Sequence, residues 1–236
     1  VPNDASTANM IDRDTIAKMK NECIFIRYKL TFALQVVEGI GKERNPKFSL
    51  DKENKFVYEN LIRWVHGDPE MQCIDPHTNK VKPGNLNAGV YIAGKTGTGK
   101  SWALEIMSAY CTIDPIVVNI NNENRMLQWK NIRTDSICDT YTRIGTIEEY
   151  KDRPVLGLQD FGSEPTESMY MGNRIDPIRQ LIEYRGDRED KITFITSNIP
   201  PNHQAINNRY GDRVASRLNE MCNFLLLNGK DRRLCS

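Results

Sequence analysis

The sequence has no paired cysteines, no long hydrophobic run and almost no net charge, and each absence removes a class of protein. Its six cysteines (Cys23, Cys73, Cys111, Cys138, Cys222 and Cys235) are scattered with no CxxC pair, which argues for reduced thiols rather than a disulfide framework or a zinc ribbon. Cys73 and His77 form a close pair of potential metal ligands but lack the second pair that a tetrahedral site needs. No apolar run approaches the roughly 20 residues that span a bilayer, and the N-terminus lacks a basic-then-apolar signal pattern. The expectation is a soluble, cytoplasmic protein with no membrane contact. A net charge of +1 gives no global field toward nucleic acid and leaves a local basic stripe open. Internal repeats and low-complexity segments are also missing.

What remains is a chain of 236 residues with 39% apolar content, enough for one α/β core with a smaller appendage. Residues 1–10 are small and polar and read as a loose arm. From residue 12 to 37, Ile16, Met19, Cys23, Ile26, Leu30, Leu34 and Val37 recur at helical spacing, predicting a long helix or a broken pair that Gly39, Gly41 and Pro46 end. A second helix is expected from Asp51 as N-cap to about residue 66, and the stretch 71–87, with Pro76, Pro83 and Gly84, reads as a loop or an irregular hairpin.

Strands and helices then alternate. Strands are expected at 90–93, 116–120, 155–158, 192–196 and 224–227, with helices at 101–110, 134–144, 177–184 and 209–221. Such alternation predicts a parallel sheet covered on both faces, with a ligand at the carboxyl ends of the strands. The division drawn is 1–69 as arm and helical extension and 70–236 as core.

Within the core, Gly94 Lys95 Thr96 Gly97 Thr98 Gly99 Lys100 Ser101 fits GxxxxGK[S/T] at every fixed position and follows the apolar run 90–93. The glycines let backbone N–H groups fold around a β-phosphate, Lys100 reaches the β and γ oxygens, and the Ser101 hydroxyl ligates Mg²⁺. A helix from about Trp102 points its positive end at the same phosphates. Nucleotide binding is the expected chemistry.

A phosphate loop alone leaves kinases, GTPases, transporters and motor ATPases open, so the other strand ends must choose. The guanine-reading Asn-Lys-x-Asp string is absent. Strand 155–158 runs into Gln159 Asp160 Phe161 Gly162 Ser163 Glu164, either a plain polar cap or a Walker-B-like end that sets acids beside Mg²⁺ and the attacking water. Asp160 Phe161 Gly162 also spells the kinase DFG, but without the kinase catalytic and glycine-rich loops the match is coincidental. Asn198, after Thr196 and Ser197, is placed to hold that water or touch a γ-phosphate, or else is ordinary turn chemistry before Ile-Pro-Pro. Arg213 and Arg217 lie four apart, on one helix face, as solvated charges or as an arginine offered to a neighbouring subunit.

Together the 94–101 loop, the 158–164 strand end, Thr196 Ser197 Asn198, the run from Tyr210 to Leu218 and the closing Gly229 Lys230 Asp231 Arg232 Arg233 resemble the AAA+ ATPases of the DnaC type. These are bacterial replicative-helicase loaders with phage and mobile-element relatives, close to the IstB transposition helpers. The resemblance covers roughly residues 48–233. It implies an αβα P-loop sandwich with a parallel central sheet, a helical N-terminal extension as candidate partner surface, and little or no C-terminal lid. It also implies ATP and Mg²⁺ as cofactors. Gly94 to Ser101 and Trp102 would bind nucleotide, Ser101 and Asp160 the metal, and Lys100, Asp160, Asn198 (sensor 1) and Arg217 (arginine finger) would be catalytic. Arg213 is the alternative finger, and Phe48 and Asn54 fall in the segment lining the adenine site.

The job implied is loading a replicative helicase, with ATP-dependent homo-oligomers on single-stranded DNA; Arg174, Arg179, Arg185 and Arg188 are candidate DNA contacts. One departure matters. Gln159 stands where the family usually has a Mg²⁺-ligating Asp, which leaves Asp160 as the catalytic carboxylate and Glu164 as a further acid within reach. A neutral amide ligates Mg²⁺ more weakly, so either Ser101, phosphates and water hold the Mg²⁺ with Asp160 polarising the nucleophile, or hydrolysis is slow and ATP serves as an assembly switch. Two other functions fit the motifs: a transposition helper with a transposase as partner, and a small-molecule P-loop kinase working as a monomer, indifferent to DNA and to Arg217.

Overall fold

The computed structural model describes residues 28–113, 116–120 and 123–232; the loose arm and the 12–27 part of the expected first helix lie outside the described residues. Helix α1 (Leu30–Arg44) does not stop at its glycines. Gly41 packs under the Phe48 ring with no room for a side chain, so the glycine serves a close approach, and the helix ends only before Asn45 and Pro46. Helix α2 (Lys55–Val65) starts later than expected, with Asn54 as N-cap. Asp51 instead opens the preceding turn, its carboxylate accepting the backbone N–H of Glu53 at 2.8 Å and of Asn54 at 3.2 Å. Strands β1 (Gln72–Ile74) and β2 (Val81–Pro83) form the irregular hairpin.

The core runs β3 (Gly89–Ala93), α3 (Lys100–Ile113), β4 (Val117–Ile120), β5 (Glu123–Met126), β6 (Lys130–Arg133), α4 (Thr134–Ile144), α5 (Glu148–Asp152) and β7 (Val155–Phe161). It continues through β8 (Ser168–Tyr170), β9 (Asn173–Ile175), α6 (Pro177–Gly186), β10 (Ile192–Ser197), α7 (Gln204–Tyr210), α8 (Asp212–Met221) and β11 (Cys222–Leu226). Five parallel strands make the central sheet in the order β11-β3-β10-β7-β6.

Two further expectations are corrected. The segment expected as a sheet strand at 116–120 is β4, which pairs antiparallel with β5 outside the central sheet; the fifth strand is β6. Its sequence, Lys-Asn-Ile-Arg, has no apolar run because it is an edge strand, bonded to β7 alone. The helix expected at 209–221 is broken into α7 and α8 at Gly211, whose φ of 86° and ψ of 166° belong to a region that only glycine enters freely. The β8–β9 hairpin, unforeseen, turns through Met171 and Gly172, both at positive φ.

The strands read with period two. Val90 and Ile92 of β3 face a layer made by α1, α2 and α3, together with Val37, Leu61, Ile106 and Phe194. Tyr91 and Ala93 face the opposite layer of α4, α6, α7 and α8, with Leu158, Ile182, Ile195 and Val214. Phe194 packs edge-on to Trp64 at 5.0 Å and against Trp129 at 4.6 Å, each aromatic pair adding about 0.5–1.5 kcal/mol beyond area burial. The first two helices therefore share one core with the sheet. Among the described residues no helix follows β11, and none is long and apolar enough to cross a membrane.

Candidate functional site

The loop after β3 is shaped by Gly97 at φ 81° and Gly99 at φ 97°, which let the chain curl before α3 begins at Lys100. Thr98 closes it, its hydroxyl donating to Lys95 O at 2.9 Å. Because β3 and β10 are neighbours with Ala93 opposite Ser197, the next residue of the β10 end, Asn198, meets the loop. The buried Lys100 Nζ donates to Asn198 Oδ1 and to Lys95 O, both at 2.8 Å.

One strand further on, β7 carries a bulge. Leu158 pairs with Ile195 and Phe161 with Ser197, three steps against two, and the extra residue falls where Asp160 sits at φ 59°. An L-residue there costs on the order of 1–2 kcal/mol, and backbone strain of this kind clusters at functional sites. Asp160 is pinned: its N–H donates to Thr196 Oγ1 at 3.2 Å, and its carbonyl accepts the hydroxyls of Ser163 at 2.6 Å and Thr134 at 3.1 Å. Its carboxylate lies 3.4 Å from the Arg133 guanidinium at the end of β6.

Lys100, Ser101, Trp102, Asp160 and Asn198 line one cavity of about 430 Å³ with Gly97 and Gly99. The far wall is residues 45–53. Phe48 stands edge-on to Tyr58 at 5.8 Å and 6.3 Å from the Trp102 ring, giving the cavity an apolar side. Asn54 is not in the wall; it is buried and ties the 49–54 turn, donating to Ser49 O at 3.0 Å and accepting Asp51 N–H at 2.9 Å. The segment after β11 closes the cavity. Arg232 N–H donates to Gly97 O at 2.9 Å, and its guanidinium reaches Asp51 at 2.9 Å and Glu53 at 3.7 Å.

The donor set suits a hard cation bound with an anion: a serine hydroxyl and a carboxylate oxygen face the same cavity as a buried lysine and a helix N-terminus. Gln159 is turned from the cavity, its Nε2 donating to Glu105 Oε1 at 3.0 Å. Glu164 is not an acid of this cavity. It is buried, accepts the hydroxyl of Tyr210 and the N–H of Gly162 at 3.0 Å, and sits 3.6 Å from Arg209, tying the loop after β7 to α7; burial and this carboxylate push the Tyr210 hydroxyl pKa far up.

Arg217 lies elsewhere. It is ion-paired with Asp187 and, at 2.8 Å, with Glu220, while Arg213 reaches Asp187 at 3.0 Å. Arg217 lines a second cavity with Asn85, Asn87 and Lys191, where β3, β10 and β11 begin, so it stands at the edge of the sheet opposite the phosphate loop. Arg185 cannot meet DNA: it is 0% exposed and donates to Thr193 Oγ1 at 2.8 Å and to the carbonyls of Arg153 at 2.7 Å and Ile192 at 2.6 Å. Burial lowers its pKa to about 10. Arg174, Arg179 and Arg188 are at the surface, beside Glu167, Glu183 and the Tyr184 ring.

Sequence reasoning missed Arg133, Glu105 and the role of Arg232. Glu105 is four residues past Ser101 and so on its helix face, a signal that was there to be read; Arg232 lay inside the closing run already noted. Nothing in the polar β6 segment marked Arg133.

No family model and no curated protein matches the sequence. Among solved structures, one described as a primosome component from Streptococcus pyogenes serotype M3 aligns with a TM-score of 0.52 at 20% identity, over 78% of this chain and 84% of that one. The DnaC helicase loader aligns with a TM-score of 0.50 at 16% identity, over 78% of this chain and 94% of that one. The likeness is one of architecture, and with the sheet order and the loop after β3 it identifies the chain as a P-loop domain of the AAA+ fold.

Proposed function

We propose that this chain binds Mg·ATP in the 430 Å³ cavity, hydrolyses it slowly, and works in DNA replication as a helicase-loader-like ATPase that assembles with ATP on single-stranded DNA. The observation that carries the reading is Lys100 held on Asn198 Oδ1 at 2.8 Å beside Asp160, in a cavity with one apolar wall. The loop and the α3 N-terminus would take the phosphates, Phe48 and Trp102 the base, and Ser101 and Asp160 the metal. When bound, Mg²⁺ would offset phosphate charge. Asp160, fixed by the bulge, accepts a proton or orients water, and Asn198 would exchange Lys100 for a γ-phosphate or that water. Arg217 would complete a neighbouring copy's site. Phe32, 65% exposed on α1, lies on the proposed partner surface.

The test is calorimetric ATP binding and turnover, with and without single-stranded DNA, followed by capture of a hexameric helicase. ATP binding in Mg²⁺, DNA-stimulated turnover and helicase capture are expected. Capture of a transposase would move the chain to transposition, and phosphotransfer to a small molecule by a monomer would overturn the replication reading.

A further inference from the structure

Asp160 lines the nucleotide cavity from a backbone conformation, φ 59°, that an L-residue keeps only when its surroundings impose it. What imposes it on the far side is a turn. Ser163 N–H donates to Asp160 O at 3.1 Å, with Gly162 third in the turn at φ 94°, the sign that a type II turn requires there. The Gly162 N–H is taken in turn by Glu164 Oε2 at 3.0 Å. The Glu164 side chain is wholly enclosed, a costly place for a carboxylate unless its oxygens are hydrogen-bonded. Its other oxygen accepts the Tyr210 hydroxyl and lies 3.6 Å from Arg209, a cation itself held by Asp176 at 2.7 Å and Pro165 O at 2.9 Å. Tyr210 also stacks its ring on Phe161, with centres 4.7 Å apart and planes 17° apart. One tyrosine at the end of α7 therefore touches both the residue after Asp160 and the acid that holds the residue beyond it.

We propose that Glu164 is a positioning residue for Asp160: by holding the Gly162 N–H against α7, it keeps the turn that aims the Asp160 carboxylate into the cavity. Tyr210 fixes Glu164 and braces Phe161. The route from Glu164 to Asp160 is the hydrogen bond to Gly162 and two residues of backbone, short enough for the loss of that bond to be felt at the cavity. Without it the turn loosens and Asp160 is released toward the extended conformation of an ordinary strand end, which re-aims its side chain. The proposal rests on the Mg·ATP reading, in which Ser101 and Asp160 hold the metal. It predicts a weaker grip on Mg²⁺ with the phosphate loop untouched.

Two measurements on the full chain test it: binding of a fluorescent ATP analogue in EDTA and across a Mg²⁺ titration, and backbone hydrogen exchange over residues 159–164. Glu164→Ala removes the acceptor of the Gly162 N–H. Exchange over 159–164 should quicken, and the Mg²⁺ concentration for half-effect should rise about tenfold, the low end for a residue that orients a metal ligand, with affinity in EDTA unchanged. Glu164→Gln is the conservative rescue. Its amide oxygen can accept from Gly162 while its nitrogen donates to the Tyr210 oxygen, so both readouts should return close to wild type. A glutamate that only stabilised the fold would lower the melting temperature and leave the Mg²⁺ midpoint of the folded protein where it was. If Glu164→Ala does not fold, Tyr210→Phe keeps the ring on Phe161 and removes the hydroxyl, and a smaller rise, above about twofold, is expected of it. A midpoint within about twofold of wild type in the folded variant, a rise without faster exchange, or a Glu164→Gln as impaired as Glu164→Ala overturns the assignment alone. Absence of nucleotide binding by the wild type overturns the reading of the cavity and this assignment with it.

Discussion

The two edges of the central sheet treat their key cations differently. At the carboxyl edge, Lys100 donates to two neutral oxygens, Lys95 O and Asn198 Oδ1, both at 2.8 Å. At the amino edge, Arg217 is held by two carboxylates, Asp187 and Glu220. A phosphate replacing a neutral oxygen gains a charge-assisted hydrogen bond. A phosphate approaching Arg217 must instead compete with charges already in place. The lining of the first edge thus comes from one chain. The second is a guarded cation, of use only if something outside the chain draws it away.

The sharpest way to break this comparison is Arg217→Ala. If the arginine serves a neighbouring copy, DNA-stimulated turnover should fall by about 10³-fold, the low end for an arginine finger, while ATP affinity of the isolated chain is unchanged. Steady-state rates alongside calorimetry check it, and wild-type turnover would leave Arg217 as a surface ion pair. Next in size is Lys100→Ala, which removes a cation from the carboxyl edge. Loss of charge-assisted bonds of roughly 1.5–3 kcal/mol predicts an ATP affinity lower by about 100-fold. An unchanged dissociation constant would place the nucleotide elsewhere.

The carboxyl edge was also the legible one. The 94–101 loop and Asn198 follow strands that are buried along all or nearly all of their length, and such strands announce themselves. β6 did not, because an edge strand bonded on one side tolerates Lys, Asn and Arg. With it went Arg133, the cation beside Asp160. The bulge was invisible for a related reason: strand register is set by the neighbour, β10, and the sequence of β7 alone suggests a strand ending near Leu158. Gln159 was noticed as a departure, but its partner lies on α3, and only the packing of that helix on the sheet brings Glu105 to it. Arg185 was misread for the opposite reason. An arginine on an amphipathic helix looks solvated until neighbouring chain ends supply it with carbonyls.

A smaller effect probes the guard itself. Asp187 contacts both Arg213 and Arg217, so Asp187→Asn should loosen Arg217, leaving Glu220 as its carboxylate partner, without touching the nucleotide cavity. If the arginine has a neighbour to serve, the protein concentration for half-assembly in Mg·ATP and single-stranded DNA, read by light scattering, should fall by about two- to threefold, the scale of an exposed ion pair. A rise would mean that Asp187 positions the arginine rather than restraining it.

The smallest effect concerns an ion pair at the loop edge, Arg232 with Asp51 at 2.9 Å. Burial by itself would raise the Asp51 pKa, but the Glu53 N–H, the Arg232 guanidinium and the Asn54 N–H outweigh it and hold the carboxyl below the ordinary range. A group depressed in the folded state contributes above its unfolded pKa and loses that contribution as pH falls through the folded one. The advantage of wild type over Asp51→Asn should then be about 0.2–1 kcal/mol at neutral pH, and fade on the acid side of about pH 4. Thermal unfolding of both chains between pH 7 and pH 3 measures it. Because Asn keeps one acceptor oxygen, the comparison isolates the charge. An advantage that survives acidification would mean that the closing segment is held by Arg232 N–H on Gly97 O, at 2.9 Å, and that its side-chain ion pair is as dispensable as an exposed pair on any surface.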